Sequence, residues 1–240
     1  MSPFTILLAA WLLAGAPAQA ATQVPLRVIL AGDSTMAEGS GYGSALCARF
    51  VPEVSCINLA RRGRSSASFR QEGYWEEALK LLKDGTASQT YVLVQFGHND
   101  QPGKGVHSTD LVNQFPANMA RYAREVRDLG GVPVLVTPLT RRGFTGPYLK
   151  DDLGPWAEAT RRTAAAGQVA LVDLNRLSAD AVQAMGQAEA DTLAPEPPGQ
   201  PKFDRTHLGP KGAEVFSAIV ATELVRKLPP LQPFLKSQGR

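Results

Sequence analysis

Cysteine and excess charge are both scarce in this sequence of 240 residues, and each scarcity excludes a class of protein. Only two cysteines are present, and without a third or fourth they do not indicate a zinc site. The 25 Lys and Arg residues outnumber the 22 Asp and Glu residues by only three. A basic nucleic-acid-binding patch usually brings a much larger excess, so we expect no nucleic-acid partner.

The sequence also lacks a long apolar run beyond its first twenty residues, so we expect a soluble protein without a membrane-spanning segment. Hydrophobic residues are nevertheless abundant, at 44% of the chain against 20% charged residues. This balance is enough to build a buried core and excludes global disorder. The length suits one domain and is too short for two enzyme-sized domains.

The first twenty residues have the features of a cleaved export signal. They carry no charged side chain, and their apolar stretch, Phe4–Ala14, is too short to span a bilayer. They end in a small-x-small cleavage motif at Ala18 and Ala20. We predict a signal peptide over residues 1–20 and a secreted or periplasmic domain over residues 21–240. A buried N-terminal helix is the alternative.

The two cysteines, Cys47 and Cys56, lie nine positions apart and both follow the predicted cleavage point. An oxidising compartment favours a disulfide between them, so we predict this bond. Two buried thiols are the alternative.

Short apolar runs recur along the chain and are separated by amphipathic segments. Continuously apolar runs of this length are typical of parallel strands that are covered on both faces. We predict five such strands, at Arg27–Ala31, Val54–Leu59, Tyr91–Phe96, Val132–Thr137 and Val169–Leu174.

The segments between and after these strands carry apolar residues at helical spacing. Repeated strand–helix units predict a single three-layer α/β/α domain with a five-stranded parallel sheet. The predicted helices are Phe69–Lys83, Leu111–Leu129, Trp156–Ala166 and Gly212–Leu228.

Reactive residues are concentrated in the loops that follow the predicted strands, where open parallel sheets bind their ligands. Ser34 follows the first strand behind a glycine and could act as a nucleophile. Gly63 follows the second strand, and Asn99 follows the third, where both could stabilise an oxyanion. Just before the last helix, Asp204 could orient His207 as a base.

Each of these signals has an ordinary structural alternative when it is taken alone. The serine could cap a helix, the glycine could serve a plain turn, and the asparagine could form an Asx-turn. The Asp–His pair could be two surface residues. Their joint occurrence at one sheet edge is more specific, because it supplies a nucleophile, oxyanion donors and an oriented base.

The motifs that carry these residues are GDSTMA, NLARRGRSS, QFGHND and DRTHLGPKGA. In this order the chain resembles the SGNH (GDSL-like) hydrolases, and within them most of all the rhamnogalacturonan acetylesterases. The resemblance extends from about Arg27 to Leu228 and implies a flavodoxin-like SGNH hydrolase fold without cofactor or metal. It implies that Ser34 is the nucleophile, that His207 is the base, and that Asp204 orients the base.

The resemblance also implies an oxyanion hole made of the Ser34 N–H, the Gly63 N–H and the Asn99 side chain. It implies a secreted acetylesterase that removes acetyl groups from pectin, with an acetylated acidic polysaccharide or oligosaccharide as its partner. We expect a monomer with no membrane partner.

Arginines near the motifs favour an acidic substrate, because a guanidinium pairs with carboxylates in a bidentate geometry. We expect at least half of these arginines to be solvated or paired with nearby carboxylates. The group is Arg61, Arg62, Arg64, Arg141, Arg142 and Arg205. The candidate substrate-binding residues are Arg64, His98, Asp100 and Arg142.

Three other functions stay open at this point. A metal-dependent phosphoesterase is one, since the motifs contain several plausible ligands: Asp33, His98, Asp100, Asp204 and His207. A second is an SGNH esterase or lipase that acts on other acyl esters or on the acetyl groups of xylan. The third is a carbohydrate-binding module without catalytic activity.

Overall fold

Five parallel strands form one sheet at the centre of the protein, in a computed structural model that describes residues 26–196 and 203–236. The predicted signal peptide lies outside the described residues. The strands are β1 (Leu26–Gly32), β2 (Val54–Asn58), β3 (Thr90–Gln95), β4 (Val132–Val136) and β7 (Ala170–Val172). Their order in the sheet is β2-β1-β3-β4-β7, and every pairing is parallel, which confirms the predicted fold class.

The central strands are apolar on both faces, which is why they appear in the sequence as unbroken apolar runs. In β1, Val28 and Leu30 pack towards one helical layer, and Ile29 and Ala31 pack towards the other. All four side chains are fully buried. The strand is therefore held by packing from both sides.

Helices cover both faces of the sheet and complete the three layers. One face packs against α1 (Gly43–Ala48), α6 (Leu174–Asp191) and α7 (Pro210–Lys227). The other face packs against α2 (Ser68–Gln71), α3 (Tyr74–Lys83), α4 (Gln114–Asp128) and α5 (Gly154–Ala166). Two short 3₁₀ helices lie at Gly105–His107 and Pro229–Phe234.

The structure differs from the predicted secondary structure in a divided helix, an additional helix and an additional hairpin. The helix predicted over Phe69–Lys83 is two helices, because Gly73 adopts a left-handed conformation with φ +82° and interrupts the first. Helix α6 was not predicted at all. A small hairpin, β5 (Phe144–Thr145) with β6 (Tyr148–Leu149), was also missed.

The strand order places a ligand site at the carboxyl ends of β1 and β3. From β1 the chain moves to β2 on one side, and it then returns to β3 on the other side. Crevices open at such reversals in parallel sheets. The loops that carry the predicted reactive residues therefore meet there.

Among the residues that the structure describes, no helix is both long and apolar enough to cross a membrane.

Candidate active site

The structure brings Ser34, His207 and Asp204 into one hydrogen-bonded row, although the serine and the histidine are 173 positions apart. The His207 Nε2 atom lies 2.8 Å from the Ser34 hydroxyl oxygen. Its Nδ1 atom lies 2.7 Å from the Asp204 carboxylate. A carboxylate can only accept, so Nδ1 donates to Asp204 and leaves Nε2 free to accept the serine proton.

The Asp204 carboxylate is held in its ionised form by the backbone around it. Partial burial works to raise its pKa, but hydrogen bonds from the His207 backbone and ring, and from the Thr206 backbone, lower the pKa below its ordinary value. The Oδ1 atom accepts the backbone N–H groups of Thr206 at 2.8 Å and His207 at 2.9 Å. The other oxygen is thereby aimed at the imidazole ring, which fixes the ring's orientation.

Ser34 lies at the start of a tight turn that is held from beneath by a chain of buried hydrogen bonds. The Tyr42 hydroxyl donates to Gln95, whose amide donates to the Thr35 hydroxyl, each at 2.7 Å. Thr35 in turn donates to Asp33 through its hydroxyl and its N–H, both at 2.8 Å. The side chains of all four residues are fully buried. This series of hydrogen bonds fixes the backbone on both sides of Ser34.

The backbone N–H groups of two predicted oxyanion donors have no acceptor in the described part of the chain. They belong to Ser34 and Gly63, the two residues predicted to supply backbone donors. Gly63 adopts φ +76°, a conformation that glycine reaches without strain, although a Cβ there would meet nothing within 4 Å. The glycine is therefore required for its backbone conformation and not for close packing.

Asn99 lies in the wall of the cavity beside the serine, and its amide is oriented by the neighbouring loop. Its Nδ2 atom donates to the Arg64 carbonyl at 3.0 Å, which links the loop after β3 to the loop after β2. The second amide hydrogen has no acceptor among the described residues. An oriented donor with a free N–H is suited to an oxyanion.

A cleft of about 500 Å³ contains the predicted triad in its wall. Its size is within the range of about 300–1,000 Å³ that is usual for small-ligand sites. Four further residues line it that were not predicted to belong to the site, and Arg141, one of the arginines expected to favour an acidic substrate, lines it as well. The four are Gln101, Pro102, Lys104 and Thr206. Gln101, Pro102 and Lys104 follow β3 closely, which was a usable signal, and Thr206 lies between Asp204 and His207 in the last motif.

A family profile matches this chain over the whole of that site. The profile describes the GDSL-like Lipase/Acylhydrolase family, and it matches residues 30–215. The chain belongs to this family. It is therefore a carboxylic ester hydrolase.

Curated and solved relatives agree with the assignment. The chain is 30% identical to the rhamnogalacturonan acetylesterase RhgT of Bacillus subtilis over 229 residues, which cover 89% of this chain and 96% of that one. A solved structure of the Bacillus subtilis protein YxiM superposes with a TM-score of 0.72 at 24% identity, over 85% of this chain and 57% of that one. The acetylxylan esterase Axe2 of Geobacillus stearothermophilus superposes with a TM-score of 0.60 at 15% identity, over 86% and 96%. Both superpositions show that the fold is shared.

One candidate substrate-binding residue of this GDSL-like hydrolase does lie in the cleft. His98 lines it with only 3% of its surface exposed, and its Nδ1 atom lies 3.3 Å from the Asp33 carboxylate. Burial works to raise the pKa of Asp33, but the facing His98 and the hydrogen bonds from Thr35 hold it below its ordinary value. The His98 Nε2 atom has no hydrogen-bond partner in the described residues.

The interpretation of Asp100 as a substrate-binding residue is wrong, because its side chain is fully buried. Its carboxylate accepts hydrogen bonds from the Ser66 hydroxyl at 2.6 Å and from the Thr109 hydroxyl at 2.9 Å. Burial raises the pKa of Asp100 to about 6, although these hydrogen bonds oppose the rise. The residue joins the loop after β2 to the loop after β3 from beneath the cleft.

The same interpretation is wrong for Arg142, which is also fully buried. Its guanidinium donates to backbone carbonyls of Asp204, Thr206 and His207 and cannot reach a substrate. Arg64 is partly exposed but engaged elsewhere, since Glu72 accepts from its Nε at 2.9 Å and from its Nη2 at 2.5 Å. Arg64 is not in the wall of the cleft.

Most of the other arginines near the site are paired with carboxylates, as expected. Arg61 pairs with Glu77, Arg141 with Asp152 and Arg205 with Asp191. Arg62 instead donates to the Ser40 hydroxyl and the Gly39 carbonyl. Of the six, only Arg141 lines the cleft, so fewer arginines can contact an acidic substrate than the sequence indicated.

Four of the five residues that had been considered as metal ligands are bonded to one another in pairs, and the fifth, Asp100, is bonded to Ser66 and Thr109. Asp33 pairs with His98, and Asp204 pairs with His207. Within residues 26–196 and 203–236, no group of three or more His, Cys, Asp or Glu side chains is arranged to hold a metal ion.

The structure also joins Cys47 and Cys56 in a disulfide that links the end of α1 to β2. The bond lies at the edge of the sheet, away from the cleft.

Proposed function

We propose that this GDSL-like hydrolase is a secreted acetylesterase that removes acetyl groups from pectin, with rhamnogalacturonan as its main substrate. The observation that carries the proposal is the match to a rhamnogalacturonan acetylesterase at 30% identity, which covers almost the whole of both chains. The geometry of the cleft supports the reaction, because it contains a complete Ser–His–Asp row and unoccupied backbone donors.

Acylation begins when Ser34 attacks the carbonyl carbon of the acetyl group. His207 Nε2, at 2.8 Å, takes the hydroxyl proton as the new C–O bond forms. The negative charge moves to the carbonyl oxygen, where the N–H groups of Ser34 and Gly63 and the amide of Asn99 stabilise it. His207 then donates its proton to the sugar oxygen, and the sugar leaves as an alcohol.

Deacylation repeats these steps with water. The water oxygen attacks the carbonyl carbon of the acetyl-serine while His207 takes a proton from the water molecule. The same donors stabilise the second oxyanion. When this intermediate collapses, His207 returns the proton to the Ser34 oxygen and acetate is released. Asp204 stays ionised throughout and stabilises the imidazolium that forms twice in each cycle.

Two cations in the wall of the cleft support an acidic substrate. Lys104 is exposed and makes no ion pair with a carboxylate in the described residues. Arg141 is held in place by Asp152 at 2.8 Å and by Gln101 at 2.8 Å. A galacturonate carboxylate bound beside the acetylated sugar would lie close to both positive charges, and salt would weaken that attraction.

The salt dependence of two esters tests the choice of substrate. Added salt should lower activity on acetylated rhamnogalacturonan more steeply than activity on neutral p-nitrophenyl acetate, because screening acts only on charge contacts. Lys104→Gln should raise KM on the polymer and spare the small ester. Lys80→Gln is the matched control, since Lys80 is an exposed lysine on α3 and is not in the cleft.

Three results would contradict rhamnogalacturonan as the substrate without contradicting the assignment as an ester hydrolase. They are an equal effect of salt on both esters, an equal effect of the two lysine variants on the polymer, and faster release of acetate from acetylated xylan.

We also propose that the mature protein begins at Ala21 and is secreted or periplasmic, on the basis of the uncharged, apolar N-terminal twenty residues. Intact-mass measurement of protein recovered from outside the cytoplasm tests this. A mass that corresponds to a chain beginning at Met1 would contradict it.

A further inference from the structure

Arg142 is a fully buried cation, and the hydrogen bonds that it donates within the described residues all go to the segment that carries two members of the triad. Its Nη2 atom donates to the Asp204 carbonyl at 3.0 Å and to the His207 carbonyl at 2.7 Å. Its Nη1 atom is 3.5 Å from the Thr206 carbonyl, and its backbone N–H donates to the Arg205 carbonyl at 2.9 Å. Four consecutive carbonyl groups therefore accept from one residue.

The segment that receives these hydrogen bonds has no regular secondary structure of its own. It lies just before α7, outside any helix or strand. On its other side, the N–H groups of Thr206 and His207 donate to the Asp204 carboxylate. The backbone of residues 204–207 is thus held between an acidic side chain that accepts from its N–H groups and a basic side chain that donates to its carbonyls.

Two further contacts hold the Arg205 side chain and the residue that follows the segment. Arg205 pairs with Asp191 through Nε at 3.0 Å and Nη2 at 2.9 Å. The Leu208 N–H donates to the Ser40 carbonyl at 2.9 Å. The carbonyls of Asp204 and His207 depend on the guanidinium alone among the described side chains.

The charge of Arg142 has no direct counter-ion, which distinguishes it from the paired arginines near the cleft: Arg61, Arg64, Arg141 and Arg205. No carboxylate of the described residues lies within ion-pair distance of it. Burial lowers the pKa of Arg142 to about 10, and only the more distant Asp204 and Asp191 oppose the shift. A buried cation is costly to keep unless a specific geometry is gained, and a planar guanidinium can span several acceptors where an ammonium cannot.

We propose that Arg142 is a positioning residue for ester hydrolysis, which fixes the backbone of residues 204–207 so that His207 Nε2 stays in line with the Ser34 hydroxyl. The inference rests on the proposed function of the triad. Small displacements of a catalytic group cost rate rather than affinity, and a shift of 1 Å can cost about 100-fold. Loss of Arg142 should therefore lower kcat and leave KM for a small ester nearly unchanged.

Arg27 provides a matched control, because it is a second buried arginine that donates to a backbone carbonyl. It is 5% exposed, lies near the start of β1, and donates to the Leu81 carbonyl and to the side chains of Asp84 and Thr86. This position is at the opposite edge of the sheet from Ser34. Its replacement should reduce stability without displacing the triad.

The test compares R142M, R142K and R27M with p-nitrophenyl acetate as substrate, at a temperature where circular dichroism shows each to be folded. We expect kcat of R142M to fall about 10- to 100-fold with KM within about 3-fold of the unmodified enzyme. R142K keeps the positive charge but loses the planar guanidinium, so we expect its kcat to lie between those of R142M and the unmodified enzyme. R27M should lower the melting temperature while its kcat stays within about 2-fold, since only contacts remote from the triad are lost.

Guanidinium ion supplies a readout that a purely structural role would not give. Added at a concentration too low to unfold the protein, guanidinium should restore part of the kcat of R142A. It should not restore the activity of S34A, and it should not raise the kcat of the unmodified enzyme. If R142M does not fold, R142K and the rescue of R142A decide the question.

The proposal is overturned if folded R142M, or folded R142K where R142M is not available, keeps the kcat of the unmodified enzyme. It is equally overturned if R142M and R27M lose kcat in the same proportion, or if guanidinium does not restore R142A. S34A separates this from the proposed function. An active S34A refutes the triad itself, whereas an inactive S34A with a fully active R142M refutes only the role of Arg142.

Discussion

Replacement of Asn99 by alanine tests the oxyanion hole without touching the nucleophile or the base. The Asn99 amide is fixed by its hydrogen bond to the Arg64 carbonyl at 3.0 Å, and its second N–H lies in the wall of the cleft. Alanine removes that donor and leaves the N–H groups of Ser34 and Gly63 in place. The variant should therefore be weakened but not inactive.

The magnitude follows from the number of donors that remain. Removal of one well-placed oxyanion donor typically costs about 100- to 1000-fold in kcat, or roughly 3–4 kcal/mol of transition-state stabilisation. The carbonyl oxygen of the bound ester carries far less charge than the oxyanion, so KM should change by no more than about 3-fold. The lost contact to Arg64 also costs about 1 kcal/mol of stability, which the fold can tolerate.

The assay is the steady-state hydrolysis of p-nitrophenyl acetate by Asn99→Ala and by a control, Asn113→Ala. Asn113 is exposed at the start of α4, and its side chain makes no capping hydrogen bond. We expect the control to keep its kcat within about 2-fold, because surface changes of this kind have small effects. A kcat for Asn99→Ala within 3-fold of the unmodified enzyme, or a loss that lies entirely in KM, would refute the reasoning.

Three further predictions concern stability and cofactor dependence. Because a disulfide between Cys47 and Cys56 closes a short loop, its reduction should lower the free energy of unfolding by about 2–3 kcal/mol, measured in urea with and without reductant; an unchanged midpoint would contradict this. Burial raises the pKa of Asp100 from 3.8 to about 6, so the folded state holds the proton more tightly and stability due to this group falls as pH rises between those values. The unmodified protein should therefore lose about 2 kcal/mol relative to Asp100→Asn between pH 4 and pH 7 in urea titrations, and a constant difference would refute the assignment. Esterase activity should be the same in EDTA as without it, and full loss that a divalent ion restores would contradict the serine mechanism.

The sheet could be predicted from the sequence because strands that are buried on both faces consist of continuously apolar residues. The apolar runs located each strand to within a few residues at either end, and the shortest, β7, was overestimated most. Helix α6 has a weaker apolar pattern, since much of its length is Ala, Ser, Gln and Asp with few large apolar residues. The break at Gly73 depended on a backbone conformation that the helical spacing of the neighbouring residues concealed.

The residues of the triad could be predicted because each follows a strand or precedes a helix at the same edge of the sheet. Their substrate contacts could not be predicted in the same way. Arg142 and Asp100 are each next in sequence to a residue that lines the cleft, and nothing in the sequence shows that their own side chains turn inward. Burial of a charged side chain depends on tertiary partners such as the carbonyls of residues 204–207, which no local pattern reports.

The most direct test of the account is the release of acetate from acetylated rhamnogalacturonan by the mature protein and by Ser34→Ala under identical conditions. We expect release by the unmodified protein and a loss of several orders of magnitude in the variant, because the nucleophile cannot be replaced by the remaining groups. Comparable release by both proteins would contradict the role of Ser34. If the unmodified protein hydrolyses p-nitrophenyl acetate but releases no acetate from the polymer, rhamnogalacturonan is not its substrate.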